Sequence, residues 1–174
     1  MELNKAIIIS QEIIETLNES CDRIEIAGSV RRQKAEVKDI EIICIHTMEN
    51  ENGLFSNEYS RSPKFGSAIS RLGLLLKGKP MDNNGRYIQI EMPLYNIKVD
   101  IFIGNEENWG LLKVIRTGPA RFSKFMMVAC QNAGYKCEKM QLINLKTNES
   151  IPVRSERAFF HLVNVDFVEP NLRV

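Results

Sequence analysis

The chain is poor in the residues that usually announce a cofactor or a staple. Aromatic residues make up 7% of its 174 positions, and tryptophan occurs once. Its only histidines, His46 and His161, have no ligand-like spacing, which argues against a zinc site. Four cysteines (Cys21, Cys44, Cys130 and Cys137) form no CxxC pair and no regular framework, so neither a disulfide scaffold nor a zinc ribbon is expected. Cys44 lies in an apolar run and reads as a reduced, buried thiol. The longest apolar stretches, around Ala6–Ile9 and Leu72–Leu76, are far too short to span a bilayer, and the opening Met1-Glu2-Leu3-Asn4-Lys5 lacks a signal-peptide layout. An intracellular, unsecreted monomer with no membrane partner is the expectation. Charge of one sign is lacking too: 23 basic against 22 acidic residues leave a net +1. That excludes a uniformly basic nucleic-acid coat and a polyanionic disordered tail.

What remains is an ordinary globular composition, 44% apolar, in a length little above one typical domain. There is no repeat and no Pro/Gly/Ser linker. Leu3, Ala6, Ile7, Ile13, Ile14 and Leu17 fall near one helical face, predicting an amphipathic helix over 3–19. Strands are expected at Arg23–Ala27, Asp39–Ile45, Arg86–Leu94 and Ile97–Ile103, with turns at Asp82–Gly85 and Tyr95-Asn96. Met48–Pro63 reads as a loop and Phe65–Leu72 as a short helix. Beyond Gly104 the pattern becomes helical at Glu107–Ile115 and Ala120–Ala133, broken by Gly118-Pro119 and stopped by Gly134. Two short strands around Lys136–Leu145 and a helix capped by Ser155 complete the chain. The fold class is α+β: a mixed sheet with helices on one face over 1–104, then a small α/β unit with a hairpin over 105–174.

The sharpest feature is acidic. In a strand, residues i and i+2 share a face about 6.6–6.8 Å apart, so Asp39 and Glu41 project together while Ile40, Ile42 and Cys44 face a core. Carboxylates flanked by buried isoleucines are costly unless something positive neutralises them. If the strand bearing Asp100 lies beside Asp39–Ile45, three carboxylates converge. Hard divalent cations take such ligands, and two of them can activate a hydroxyl and stabilise a leaving oxygen. Gly28-Ser29 offers close backbone approach and a hydroxyl donor to a phosphate, and Arg31 and Arg32 add fixed positive charge. Taken singly, an Asp-x-Glu strand also reads as a solvated edge, and Gly-Ser as a turn.

In combination and order, these stretches resemble the nucleotidyltransferase superfamily, and more closely family X DNA polymerases of the polymerase beta type. GSVRRQKAEVKDIEII (28–43) resembles the palm motif GSxRR…DxD, and KVDIFI (98–103) the strand of the third acid. RTGPARFSKFMM (116–127) resembles the palm–thumb junction, and SERAFFHLVNVDFVEPNLRV (155–174) the close of the thumb. The resemblance implies a nucleotidyltransferase palm at 1–104 and a thumb at 105–174. Asp39, Glu41 and Asp100 would be the catalytic and metal-binding acids, holding two Mg²⁺ ions with Mn²⁺ as an alternative. Gly28, Ser29 and Arg32 would grip the triphosphate, Lys98 would lower the pKa of the third acid, and Thr117 and Gly118 would lie against the nucleotide. A dNTP would be added to the primer 3′-hydroxyl of primer-template or gapped DNA in short-gap repair, with release of pyrophosphate.

Glu41 stands where the family usually has aspartate, and Ile115-Arg116 where aromatics precede Thr-Gly. Ser123 and Met127 replace the Asn and Arg that contact the base pair in relatives, which implies low fidelity. No counterpart of the family's lyase domain is recognisable, so lyase activity is not expected. Charge by segment fits DNA contact: residues 1–104 hold 13 basic and 15 acidic residues, residues 105–174 hold 10 and 7. Two acid-free stretches stand out, one carrying Arg61, Lys64, Arg71, Lys77 and Lys79, the other Lys113, Arg116, Arg121, Lys124 and Lys136. The candidate DNA contacts are Lys113, Arg116, Arg121, Ser123, Lys124, Met127 and Lys136. Trp109 is expected in the core, with Phe122 and Phe125 open between core and base stacking. The alternatives are a nucleotidyltransferase acting on protein, RNA or a small molecule, and a non-catalytic DNA-end-binding module.

Overall fold

The computed structural model describes residues 1–50 and 59–174. They form two compact units, one of Met1–Ile26 with Ala35–Ile103 and one of Ala27–Lys34 with Gly104–Val174. Among the described residues, no helix is long and apolar enough to cross a membrane.

The first unit opens with α1 (Leu3–Leu17), whose buried Ala6, Ile9, Ser10, Ile13 and Leu17 repeat at helical spacing. Ser10 is tolerated there because its hydroxyl donates back to the Ala6 carbonyl at 2.7 Å. A 3-10 turn (Asn18–Ser20) leads into β1 (Cys21–Ile26). The short α2 (Gly28–Arg31) belongs to the second unit. Then follow β2 (Asp39–His46), β3 (Met48–Asn50), β4 (Tyr59–Arg61), α3 (Pro63–Leu72), β5 (Leu74–Lys77), β6 (Tyr87–Met92) and β7 (Ile97–Ile103). Proline in the first turn and Ser62 accepting from the Lys64 amide at 3.3 Å start α3.

Five strands make one mixed sheet in the order β1-β2-β7-β6-β5, with β2 and β7 parallel and the other neighbours antiparallel. The sequence alternation decides its faces. Ile40 and Ile42, Val99 and Ile101, and Ile88 and Ile90 are buried on one side, each removing roughly 1.5–3 kcal/mol worth of side chain from water. The other side carries Asp39 and Glu41, Lys98 and Asp100, and Tyr87, Gln89 and Glu91. Ile43 and Phe102 interrupt that polar face as register partners, both buried.

The expected loop at Met48–Pro63 is corrected in part. β3 and β4 pair antiparallel, and residues 51–58 of that stretch lie outside the described residues. Arg61 is also not a surface cation. It is fully buried, its guanidinium donates to the Pro80 carbonyl at 2.9 Å and to the Gly85 carbonyl, and its backbone N–H donates to Asn83 Oδ1 at 2.9 Å. It closes the turn that precedes β6, which is its structural work.

The second unit combines α2 with α4 (Trp109–Thr117), α5 (Ala120–Asn132), an antiparallel sheet β10-β9-β8 (Tyr135–Glu138, Gln141–Asn144, Ser150–Ile151 for β8, β9 and β10), and α6 (Glu156–Leu162). Its core is Leu111, Val114, Phe122, Met126, Cys130, Leu142, Val153, Phe159, Phe160 and Val163. Trp109 is fully buried, as its place in the helix predicts, and Phe122 joins the core. Ser155 caps α6 by accepting from the Ala158 amide at 3.2 Å. Gly110 lets α4 run against the start of α6: a Cβ there would sit 2.2 Å from the Ser155 backbone.

Candidate functional site

The carboxylates are positioned by register. β2 and β7 run side by side with Glu41 opposite Asp100 and Asp39 opposite Lys98, and on the far side of β7 Gln89 lies opposite Asp100. Neighbouring strands are about 4.8 Å apart, so Glu41 and Asp100 stand closer in backbone terms than residues i and i+2 of one strand. Asp39, Glu41 and Asp100 are all half-buried, and Lys98 is exposed.

Asp100 has two donors on one oxygen: Tyr87 Oη at 2.7 Å and Gln89 Nε2 at 2.8 Å from Oδ1. Tyr87 is held by stacking on Phe102, ring centroids 5.2 Å apart at 26°. The sequence pointed to Lys98 as the group acting on this acid. Lys98 shares a cross-strand row with Asp39 and Glu91, and the hydrogen bonds to Asp100 come from Tyr87 and Gln89. Neither was singled out from sequence, although their place on the strand directly before Asp100 was the available signal.

Hard oxygen donors from adjacent strands, in register and on one face, fit a divalent cation in type. The side chains are not closed around a point: among the described residues no group of three or more His, Cys, Asp or Glu side chains is gathered in ligating arrangement.

The Gly-Ser turn lies in the second unit. Gly28 has φ +59°, a conformation that favours glycine. Ser29 Oγ is shielded from solvent and has no hydrogen-bond partner among the described residues, an exception to the rule that buried polar atoms are paired. Arg32 donates to the Thr117 carbonyl. Arg31, expected as charge for a polyanion, is spent inside the fold instead. It donates to Thr117 Oγ1 at 2.5 Å and grips both oxygens of Glu156, one at 2.8 Å. Arg173 completes the cluster at 3.0 Å from Glu156 and lies over the rings of Phe122, Phe160 and Phe167 at 5.3–5.8 Å. Burial pushes the Glu156 carboxyl up, but hydrogen bonds and charge from Arg31 and Arg173 outweigh it and hold the pKa below the usual range. Thr117 is therefore fully buried with its hydroxyl engaged, and the neighbouring Gly118 has φ +58° with Arg32 3.3 Å from where a Cβ would be.

The remaining candidates divide by exposure. Arg121, Lys124, Phe125 and Val128 are exposed at i, i+3, i+4 and i+7 of α5, forming one stripe. Lys113 and Arg116 on α4 are half-buried. Ser123 donates its hydroxyl to the Ile115 carbonyl at 2.9 Å, and Met127 packs against the core. Lys136 is ion-paired with Glu138 at 2.9 Å.

Comparison with known proteins adds three findings. Residues 114–174 match the family model described as DNA polymerase beta thumb. No curated protein matches the chain. In structure, it is similar to the polymerase beta of Leishmania infantum in a ternary P/T complex, with a TM-score of 0.75 and 17% sequence identity over 100% of this chain and 76% of that one. The fold is polymerase beta-like, with its thumb in the second half of the chain.

Proposed function

We propose that this chain is a template-directed DNA polymerase of the family X type, adding dNMP from dNTP to a primer 3′-hydroxyl in short-gap repair. The reading is supported above all by one observation. On a polymerase beta-like fold, Glu41 and Asp100 are register partners on parallel strands, with Asp39 two residues along the same face. Asp39, Glu41 and Asp100 would hold Mg²⁺. A bound pair of such ions supplies activation of an attacking hydroxyl and neutralisation of the leaving oxygen. The other roles fall to the chain's own groups. Ser29 Oγ, without a hydrogen-bond partner among the described residues, would donate to a phosphate oxygen, Gly28 would allow backbone approach, and Arg32 would add positive charge. Lys98 would offset the acids electrostatically, and Thr117 and Gly118 would border the nucleotide. The exposed cations of α5 suit the phosphates of a DNA backbone.

Primer extension on one-nucleotide-gapped DNA with Mg²⁺ and four dNTPs tests this directly. Extension by the wild type that disappears in Asp100→Ala is expected. Binding of gapped DNA without extension by the wild type overturns the enzyme reading on DNA. Glu41, where relatives carry aspartate, favours a second reading, nucleotide transfer to protein or RNA. Labelled transfer to those acceptors and not to DNA would select it.

A further inference from the structure

We infer that Tyr87 and Gln89 are positioning residues that fix Asp100 and restrict it to one ligating oxygen. This rests on the reading of Asp100 as a cation ligand. A carboxylate has two oxygens with about two lone-pair positions each. Tyr87 Oη and Gln89 Nε2, at 2.7 and 2.8 Å, occupy both positions on Oδ1. Among the described residues' contacts, only Oδ2 keeps its full capacity, so Asp100 serves a cation through a single oxygen.

The donors are themselves held from β6. Gln89 is the register partner of Asp100, so its side chain starts beside the carboxylate on the same face. Tyr87 is the register partner of Phe102 and reaches Asp100 diagonally, its ring fixed by the stack at 5.2 Å. The alternation of β6 separates these two from Ile88 and Ile90, which are buried on the opposite face. Tyr87 and Gln89 are half-buried, on the face of the sheet opposite the isoleucine core. Both donors are neutral. They orient the carboxylate without cancelling the charge that attracts a cation, which an arginine in their place would do. Hydrogen bonds to ligating carboxylates are of the kind whose loss typically weakens metal affinity by about 10–100-fold.

The experiment is an electron paramagnetic resonance titration of Mn²⁺ into wild type, Asp100→Asn, Tyr87→Phe, Gln89→Met and the double variant, with metal-free thermal melting of each. The expected result is Mn²⁺ binding weakened about 10-fold or more in the double variant, less in the singles, with melting temperatures near wild type. Turnover in the gap-filling assay should fall in the double variant while the KM for dNTP holds. Wild-type affinity in the double variant, with Asp100→Asn impaired, overturns the positioning role alone. Equal affinity in wild type and Asp100→Asn overturns the ligand reading beneath it. A double variant that melts far below wild type would make the pair structural and also overturn the inference, with the single Gln89→Met deciding if only Tyr87→Phe is unstable.

Discussion

Arg31 and Glu156, 125 positions apart, meet in a two-point ion pair that anchors the Gly-Ser turn to the first residue of α6. Arg173 binds the same carboxylate, so one nearly buried anion serves two cations, and Arg173 is itself fully buried. Removing a partner from such a cluster leaves charge stranded in low dielectric, which costs more than the pair contributes when intact.

Glu156→Ala is accordingly expected to destabilise the protein by about 3–5 kcal/mol in urea or thermal unfolding. Arg31→Lys should recover only part of wild-type stability, because an ammonium cannot reproduce the forked grip.

The same cluster gives a pH signature. The Glu156 pKa in the folded state lies below its ordinary value of 4.5. Its contribution is therefore complete above the unfolded-state pKa and is lost as pH falls through the folded one. Stability measured from pH 6 down into the acid range should decline in wild type, and the decline should be shallower in Glu156→Gln.

Ser29→Ala separates binding from folding. The Ser29 hydroxyl has no hydrogen-bond partner among the described residues, so its removal should leave the melting temperature unchanged or slightly raised. If the hydroxyl holds a phosphate oxygen, the KM for dNTP should rise roughly 10-fold, the equivalent of one hydrogen bond to a charged group. Steady-state kinetics beside a melting curve shows both.

DNA affinity should depend on salt. With about four phosphates neutralised, log K should fall against log[salt] with a slope near −3.6. Arg121→Ala and Lys124→Ala, on the exposed stripe of α5, should each reduce the slope by about one. Lys136→Ala should change it less, since Glu138 already occupies that ammonium.

Fidelity should be low. The Ser123 hydroxyl already donates its hydrogen bond to the Ile115 carbonyl, and Met127 packs against the core, so neither offers a donor to test a base pair. Single-turnover incorporation of matched and mismatched dNTPs should show weaker discrimination than a high-fidelity relative, and equal discrimination would refute this.

Much of this was legible in advance where periodicity was strong. Asp39–Ile45 announced β2 because its apolar residues alternate against acids, and α5 and the Ser155 cap followed from helix-stop and cap chemistry. β3, β4, β5 and β10 were not legible. They are two to four residues long and mostly exposed, so neither alternation nor burial leaves a pattern. The acids could be named from sequence, but what touches them could not. Arg31 and Arg32 are adjacent and chemically identical, yet one is consumed by Glu156 and the other reaches the Thr117 carbonyl, because successive helical residues point in different directions. Arg61 likewise looked like its cationic neighbours until the Pro80 and Gly85 carbonyls claimed it.

The allocation of Ala27–Lys34 to the second unit, with residues before and after it in the first, means that the polypeptide passes between the units three times. A single nick between Ile103 and Gly104 would therefore not divide the protein into its units. The amino-terminal fragment would carry Arg31 away from Glu156, which would keep Arg173 as its partner in the other fragment. The amino-terminal fragment would hold the whole first unit together with a piece of the second, so only the second unit would be cut in two.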